Sequence, residues 1–299
     1  NISSPHNVNK LKNQLLESEL AYFGFQDKPK NISSEDWEQK EQLLFCSKKF
    51  GDDSDRALMK PSGEVTYFMS DLLYHTDKIK RKFQILINIW GVDHFGYVKR
   101  LKNALSELIK DDYILDIKLT SLVNLIKNGE KLKMSKRKGN YITMREVTKE
   151  VGVDALRFMM ISRNADKTID FDFDSLKIKN KDNPVFYVQY AYARCMSLLE
   201  ISKKKIKEIE KGDYKLDYLI LHEEKMLIKY ICNFYNVIQN SAEYFEPHRI
   251  TNYLYDLSKV FHNYWGLGNI DKKKRIVTEA VSYTHLRAHE TREDLVCRL

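Results

Sequence analysis

The chain has 299 residues, 43% of them hydrophobic and 12% aromatic, with 50 Lys+Arg against 42 Asp+Glu for a net charge of +8. That length and composition exclude wholesale disorder and leave room for two domains. With no apolar run near the roughly 18 residues of a membrane span and no charged-then-apolar leader, the reading is a cytoplasmic protein with no membrane partner. The cysteines Cys46, Cys195, Cys232 and Cys297 are far apart and form no Cys-x-x-Cys pair, so neither a disulfide framework nor a zinc site is expected. Excess positive charge favours a polyanionic partner, although an A/T-rich genome would also enrich lysine. The first residue is Asn1 rather than methionine, which reads as truncation or processing.

Residues 1–60 are polar with helical patches and a turn, "FGDDSDR", at Phe50–Arg56. The Ser62-Gly63 turn introduces a predicted strand, Glu64–Phe68. A second predicted strand, Phe83–Trp90, is apolar at nearly every position and reads as covered on both faces, as in a parallel sheet. Gly91 ends it, and Val98, Leu101, Leu105 and Leu108 then mark a helix, giving one strand–turn–helix unit. Asn128-Gly129 between two short alternating segments predicts a two-residue hairpin. From its far arm hangs "EKLKMSKRKGNYIT", Glu130–Thr143, where basic residues crowd around Met134 and Ser135 ahead of Gly139. Helices are expected at Arg145–Val151 and Val153–Arg163 around Gly152.

At "KDNPVFYVQYAYAR" the character changes. Asn183 can cap a helix and Pro184 suits its first position. Val185, Val188, Tyr192, Cys195 and Leu199 predict one face of a long helix. Similar spacing recurs through Leu227, Phe234 and Ser241, and through Ile250, Leu257 and Tyr264, closing at Gly266. Three amphipathic helices in succession predict a helical domain from residue 183. The stretch 281–299, beginning "VSYTHLRAHET", lacks this periodicity and reads as a non-native, adapter-derived tail.

Lys133, Met134, Ser135, Lys136 and Arg137 offer cations and a hydroxyl in the arrangement that a triphosphate requires. One preorganised donor of this kind supplies about 2.7–4 kcal/mol at a transition state. A lysine-rich loop is more often a solvated surface; attachment to a hairpin arm favours the phosphate clamp. "KMSKRKGN" resembles the Lys-Met-Ser-Lys-Ser signature of class I aminoacyl-tRNA synthetases, with Arg137 at the last serine. "FGDDSDR", "TYFMSDLLYH", "INIWGVDHFGYVKRLK", "DFDFD", "DNPVFYVQYAYAR" and "EPHRITNYLYDLSKVFHNYW" follow the order of the bacterial arginyl-tRNA synthetase family.

The resemblance implies an α/β Rossmann-type catalytic domain, here its C-terminal half at 1–182, followed by an all-α helical-bundle anticodon-binding domain at 183–280. It implies ATP-dependent activation of arginine to arginyl-adenylate, Mg²⁺ accompanying ATP, transfer to tRNA(Arg), and a monomer at full length. Lys133, Ser135 and Lys136 are the implied catalytic residues, with Met134 and Arg137 in the ATP loop. Tyr67, Asp71 and Asp93 match the arginine-binding positions. A guanidinium is a planar fork of donors that carboxylates meet bidentately. Read without the resemblance, Asp71 is a helix-start aspartate and Asp93 a turn residue.

"HFGY" at His94–Tyr97 imitates a His-x-Gly-His motif but lacks the second histidine; the half that carries this motif in the family is expected to be absent, leaving the fragment inactive alone. Asp170, Asp172 and Asp174 resemble a calcium loop, but Ser175 and Lys181 stand where glycine and glutamate belong, so they read as acids on an extended connector between anchored Phe171 and Phe173. Tyr187, Tyr190 and Arg194, with Gln189 beside them, form a stripe suited to unstacked anticodon bases or equally to a core. The alternatives are a noncatalytic tRNA-binding module and cysteinyl-tRNA synthetase; the scattered cysteines argue against the second.

Overall fold

The computed structural model describes residues 2–26, 39–134, 141–201 and 219–277. Ser135, Lys136 and Arg137 and the stretch 281–299 lie outside the described residues. The chain forms two compact units, Asn1–Ser121 and Leu122–Leu299.

In the first unit, α1 (Pro5–Glu17) starts at Ser4, whose hydroxyl accepts from the Asn7 amide, with Pro5 in the first turn. It is followed by the antiparallel sheet β1 (Ala21–Phe25), β2 (Glu41–Phe45) and β3 (Arg56–Ala57). Next come α2 (Tyr67–Lys80), β4 (Ile85–Gly91), α3 (Phe95–Leu108) and β5 (Ile114–Thr120). β4 and β5 are parallel, pairing Ile85 with Ile114 through Gly91 with Thr120. This is a strand–helix–strand crossover, the repeating unit of a Rossmann-type sheet. Its core joins Leu11 and Leu15 of α1, Leu43 and Phe45 of β2, Met69 and Leu72 of α2, and Leu101 and Leu105 of α3. Each such leucine, fully buried, contributes about 1.5–3 kcal/mol before entropy is counted.

Two expectations change here. Glu64–Phe68 is not a strand: only Val65 bridges, to Met59, and Tyr67 already begins α2. Thr66 accepts from the Met69 amide as N-cap, and the buried positions Phe68, Met69, Leu72, Leu73, Thr76 and Ile79 follow a helical period. The apolar strand is covered on one face, not both. Leu86 and Asn88 are buried, whereas Ile85, Ile87 and Ile89 are 50%, 44% and 71% exposed among the described residues.

In the second unit, β6 (Val123–Lys127) and β7 (Glu130–Lys131) form the predicted hairpin, and β6 also pairs in parallel with β8 (Ile169–Asp172). Asn128 and Gly129 have φ of 53° and 75°, the left-handed pair that a tight primed turn requires. Between these strands lie α4 (Met144–Val151) and α5 (Val153–Met160); after them, α6 (Phe173–Lys177). Phe171 and Phe173 are fully buried in the core of this part with Leu125, Val147 and Leu156.

The helical segment comprises α7 (Pro184–Ile201), α8 (His222–Glu243) and α9 (His248–Ile270). Asn183 caps α7 by accepting from the Val185 and Phe186 amides at 3.1 and 3.2 Å. The buried apolar residues of α7 are Val185, Ala191 and Leu198; Tyr192 is 44% exposed, contrary to expectation. Val185 packs into the core with Leu125 and Leu156, whereas Ala191 and Leu198 pack against Phe261 and Tyr264 of α9, so the buried side turns along α7 and Tyr192, though within about 20° of Val185 around the helix, is left outside. Nor does α9 stop at Gly266. It continues to Ile270, because Asp271 donates to the Leu267 carbonyl at 2.8 Å and closes the last turn.

Candidate functional site

The cap at Thr66 sets Tyr67 as the first residue of α2 and Asp71 one turn later on the same side. Tyr67 is 92% exposed. Asp71 is half-buried, and its Oδ2 accepts a 2.8 Å hydrogen bond from the hydroxyl of Tyr97 on α3. Burial, and after it the charge of Asp71, pushes the Tyr97 phenol well above its ordinary pKa, so it remains a donor.

Asp93 follows the C-terminal end of β4 in a short 3₁₀ turn, Val92–His94. Ligands of open parallel sheets bind at this end of their strands. A methyl group at Gly91 would collide with the Asp93 carboxylate, so glycine is what lets this side chain fold back over the strand end. His94 lies 3.7 Å from Asp93 and beside Trp90, with no glycine–histidine sequel.

Below Asp71 runs a buried polar chain that sequence reasoning missed. The Asp71 carbonyl is 2.8 Å from His75 Nδ1, and His75 Nε2 is 2.7 Å from the Asn88 amide nitrogen on β4. An amide NH₂ only donates, so Nε2 accepts and Nδ1–H donates to the carbonyl. Lys78 approaches the Asn88 oxygen at 3.5 Å, in keeping with that orientation. Burial lowers the pKa of His75, with Lys78 acting in the same sense, and keeps the ring neutral.

The "FGDDSDR" turn is a brace. Asp52 accepts from Arg100 Nε at 2.6 Å and from Arg56 Nε and NH2 at 3.2 and 3.0 Å, tying the turn to α3. Burial alone would raise the Asp52 pKa, but these hydrogen bonds hold it well below the carboxylate range. Asp55 accepts from the Lys48 amide and the Tyr22 hydroxyl at 2.9 and 2.8 Å.

In the second unit, Lys133 and Met134 follow the hairpin directly, Lys133 exposed and Met134 49% exposed. The hairpin is held at its base. Leu132 donates to Leu125 at 2.8 Å, Asn128 N–H to Asp174, and Asn124 to Asp170 at 2.7 Å. Asp172 caps α6, so all three alternate acids have structural partners. Glu150 pairs with Lys127 and Lys177 at 2.8 and 2.7 Å, and these two lysines hold its pKa down. Beyond the basic segment, Thr143 and Glu146 form a reciprocal capping box at the start of α4.

On the helices, Tyr187, Tyr190 and Arg194 are brought together, but with partners from α9 that spacing could not show. Arg194 NH1 lies 3.0 Å from His262 Nδ1 and NH2 donates to the Tyr190 hydroxyl at 3.1 Å. Its guanidinium sits 4.2 and 4.8 Å from the Tyr190 and Trp265 ring centres, in cation–π range. Tyr187 packs inward against His262 and Tyr255, whereas Tyr190 stacks on Phe186 and is 41% exposed. Gln189 stands apart, 3.5 Å from Asp154 of α5.

Residues 61–174 match the family model described as tRNA synthetases class I (I, L, M and V), and residues 188–289 match the DALR anticodon binding domain. An arginine–tRNA ligase of Pelagibacter ubique is 44% identical over 273 residues, covering 91% of this chain and 47% of the relative. One from Wolbachia pipientis wMel is 46% identical over 265 residues, or 89% and 46% of the two chains. The chain thus spans about half the length of the curated relatives it matches. The crystal structure of a protein described as an arginyl-tRNA synthetase from Campylobacter jejuni superposes with a TM-score of 0.76 at 28% identity, covering 98% of this chain and 57% of that one. A Mycobacterium tuberculosis methionyl-tRNA synthetase shares the fold at a TM-score of 0.67 and 9% identity, over 94% and 67% of the chains. Among the described residues no helix is long and apolar enough to cross a membrane.

Proposed function

The chain belongs to the arginyl-tRNA synthetase family, and from that premise we propose that the whole protein is an arginine–tRNA ligase that forms arginyl-adenylate from arginine and ATP and transfers the arginine to tRNA(Arg). The observation that carries the arginine assignment is the state of Asp71. One oxygen is held by the Tyr97 hydroxyl, leaving a fixed carboxylate one turn from the exposed Tyr67 ring, while Asp93 is presented at the end of β4. A guanidinium offers five donors and no acceptor, so carboxylates held in place with an aromatic face beside them suit it and penalise neutral isosteres.

ATP falls to the segment after the hairpin. Lys133, Ser135 and Lys136 are assigned to the phosphates and the leaving pyrophosphate, with Met134 and Arg137 completing the loop; Mg²⁺ would arrive with the nucleotide. The anchored hairpin base and the capping box at Thr143 support this by fixing both flanks of the segment. Tyr190 and Arg194, with Tyr187 behind them, are assigned to tRNA, as is Gln189, which stands apart from them near Asp154. The partition into a catalytic part at 1–182 and an anticodon-binding part from 183 is supported by family matches that fall on either side of that position.

The test is ATP–pyrophosphate exchange by the complete gene product with tRNA present. Exchange that depends on arginine supports the reading. Exchange dependent on cysteine, or tRNA binding with no exchange, would replace it with one of the two alternatives.

A further inference from the structure

A carboxylate on an exposed helical turn ordinarily samples several rotamers, and a ligand that needs one of them must restrict the others. Asp71 is restricted beforehand, at two levels. Its Oδ2 is held by the Tyr97 hydroxyl at 2.8 Å, and its backbone carbonyl by the His75 ring at 2.8 Å. The holding groups are themselves held. The Tyr97 ring meets Phe68 of α2 edge-on at 5.8 Å and lies 5.4 Å from Trp90 of β4. His75 is 2% exposed and is bonded to Asn88 of β4, itself 7% exposed. The Tyr97–Asp71 and His75–Asn88 bonds therefore fasten α2 to the β4–α3 segment at Asp71 and one turn beyond it, and Asp93 emerges from that same segment two residues after Gly91.

We propose that Tyr97 is a positioning residue for arginine selection: its hydroxyl occupies Oδ2 of Asp71, fixing the carboxylate so that Oδ1 is the oxygen left for the guanidinium, while His75 and Asn88 fix the backbone beneath it. The proposal rests on the assignment of Asp71 to arginine. A purely architectural cross-link would stabilise α2 without regard to which substrate binds. A positioning residue is felt through arginine alone, and only while Asp71 retains its charge.

The experiment measures arginine-dependent, tRNA-supported ATP–pyrophosphate exchange by the complete gene product carrying Tyr97→Phe, Asp71→Asn and the two combined, together with melting temperatures. Tyr97→Phe keeps the ring packing and removes only the donor. A hydrogen bond to a charged group predicts a rise of about tenfold or more in the KM for arginine. The KM for ATP should be unchanged and the melting temperature within about 4 °C of wild type. In the Asp71→Asn background the same substitution should add nothing to the arginine KM.

Asp71→Asn impaired with Tyr97→Phe unimpaired overturns the positioning role alone. So does a Tyr97→Phe effect that persists undiminished in the Asp71→Asn background. An Asp71→Asn enzyme with unaltered arginine KM overturns the arginine assignment itself. If Tyr97→Phe does not fold, Tyr97→Met carries the test, because it removes the donor and keeps an apolar side chain against Phe68 and Trp90; a selective rise in arginine KM that vanishes in the Asp71→Asn background supports the proposal and an unaltered value overturns it.

Discussion

Asp52→Asn isolates the contribution of the "FGDDSDR" turn. The carboxylate takes three hydrogen bonds from two arginines, and the Asp52 and Arg100 side chains are only 16% and 19% exposed. Asparagine keeps one acceptor oxygen and turns an NH₂ toward a guanidinium, so at least one charge-assisted bond is lost and Arg100 loses its counter-ion. Such bonds contribute about 1.5–3 kcal/mol each, and with partial solvent access the expected loss is about 2–3 kcal/mol. In urea this moves the unfolding midpoint of the first unit down by about 1–2 M. Trp90 fluorescence reports it once Trp37 and Trp265 are replaced by phenylalanine. The sign with pH is also determined. The folded-state pKa of Asp52 lies below its unfolded value of 3.8, so its contribution is fully present above that value and fades as pH falls toward the folded pKa. Arg100→Met should cost little more in the Asp52→Asn background. Full additivity of the two substitutions, or a loss below about 0.5 kcal/mol, would refute the brace.

Gly91→Ala should separate function from stability. The added methyl meets the end of the Asp93 side chain rather than backbone, so Asp93 turns away and the melting temperature stays within about 4 °C. The arginine KM of the complete gene product should rise several-fold; an unchanged KM removes Asp93 from the site. Acid should weaken the fold before the ordinary carboxylates titrate. The pKa of His75, lowered chiefly by burial, lies below its unfolded value of 6.5, so the unfolded chain binds more protons below that pH and stability falls from there toward the folded pKa. A melting temperature that falls between pH 7.5 and 5.5, and falls less in a His75→Gln variant, is expected. Equal pH slopes in the two proteins would exclude His75 as the cause.

What the sequence disclosed was local. Asn128-Gly129 announced its hairpin because both positions need positive φ, which few other pairs tolerate. Asn183-Pro184 announced α7 because a cap and a fixed φ act within three residues. Glu64–Phe68 misled for the same reason: five alternating residues are too few to settle a period, and the Thr66 cap outweighed them. Sites built across the chain stayed hidden. Tyr97 is 26 residues from Asp71, and His262 is 68 residues from Arg194. No periodicity in α3 distinguishes a tyrosine that holds a carboxylate from one that fills space. The residues expected in the arginine pocket came from a family resemblance; the residue that restrains one of them came only from the fold.

The same construction recurs in both units. Groups assigned to arginine and ATP sit in the first two turns of a helix, just past a strand end, or just past a hairpin. The bases of those elements are tied by acids and tyrosines that the chemistry does not consume. Asp170 and Asp174 hold the hairpin that leads to Lys133, and Glu150 joins the hairpin strand to α6. Their negative charges are spent at that base on amides and on Lys127 and Lys177. At physiological ionic strength a charge is screened over about 8 Å, so acids already paired at the base subtract little from cations beyond the hairpin. Asp170, Asp172, Asp174 and Glu150 thus act as ties beside the hairpin rather than as a field competing with the cations of the segment beyond it.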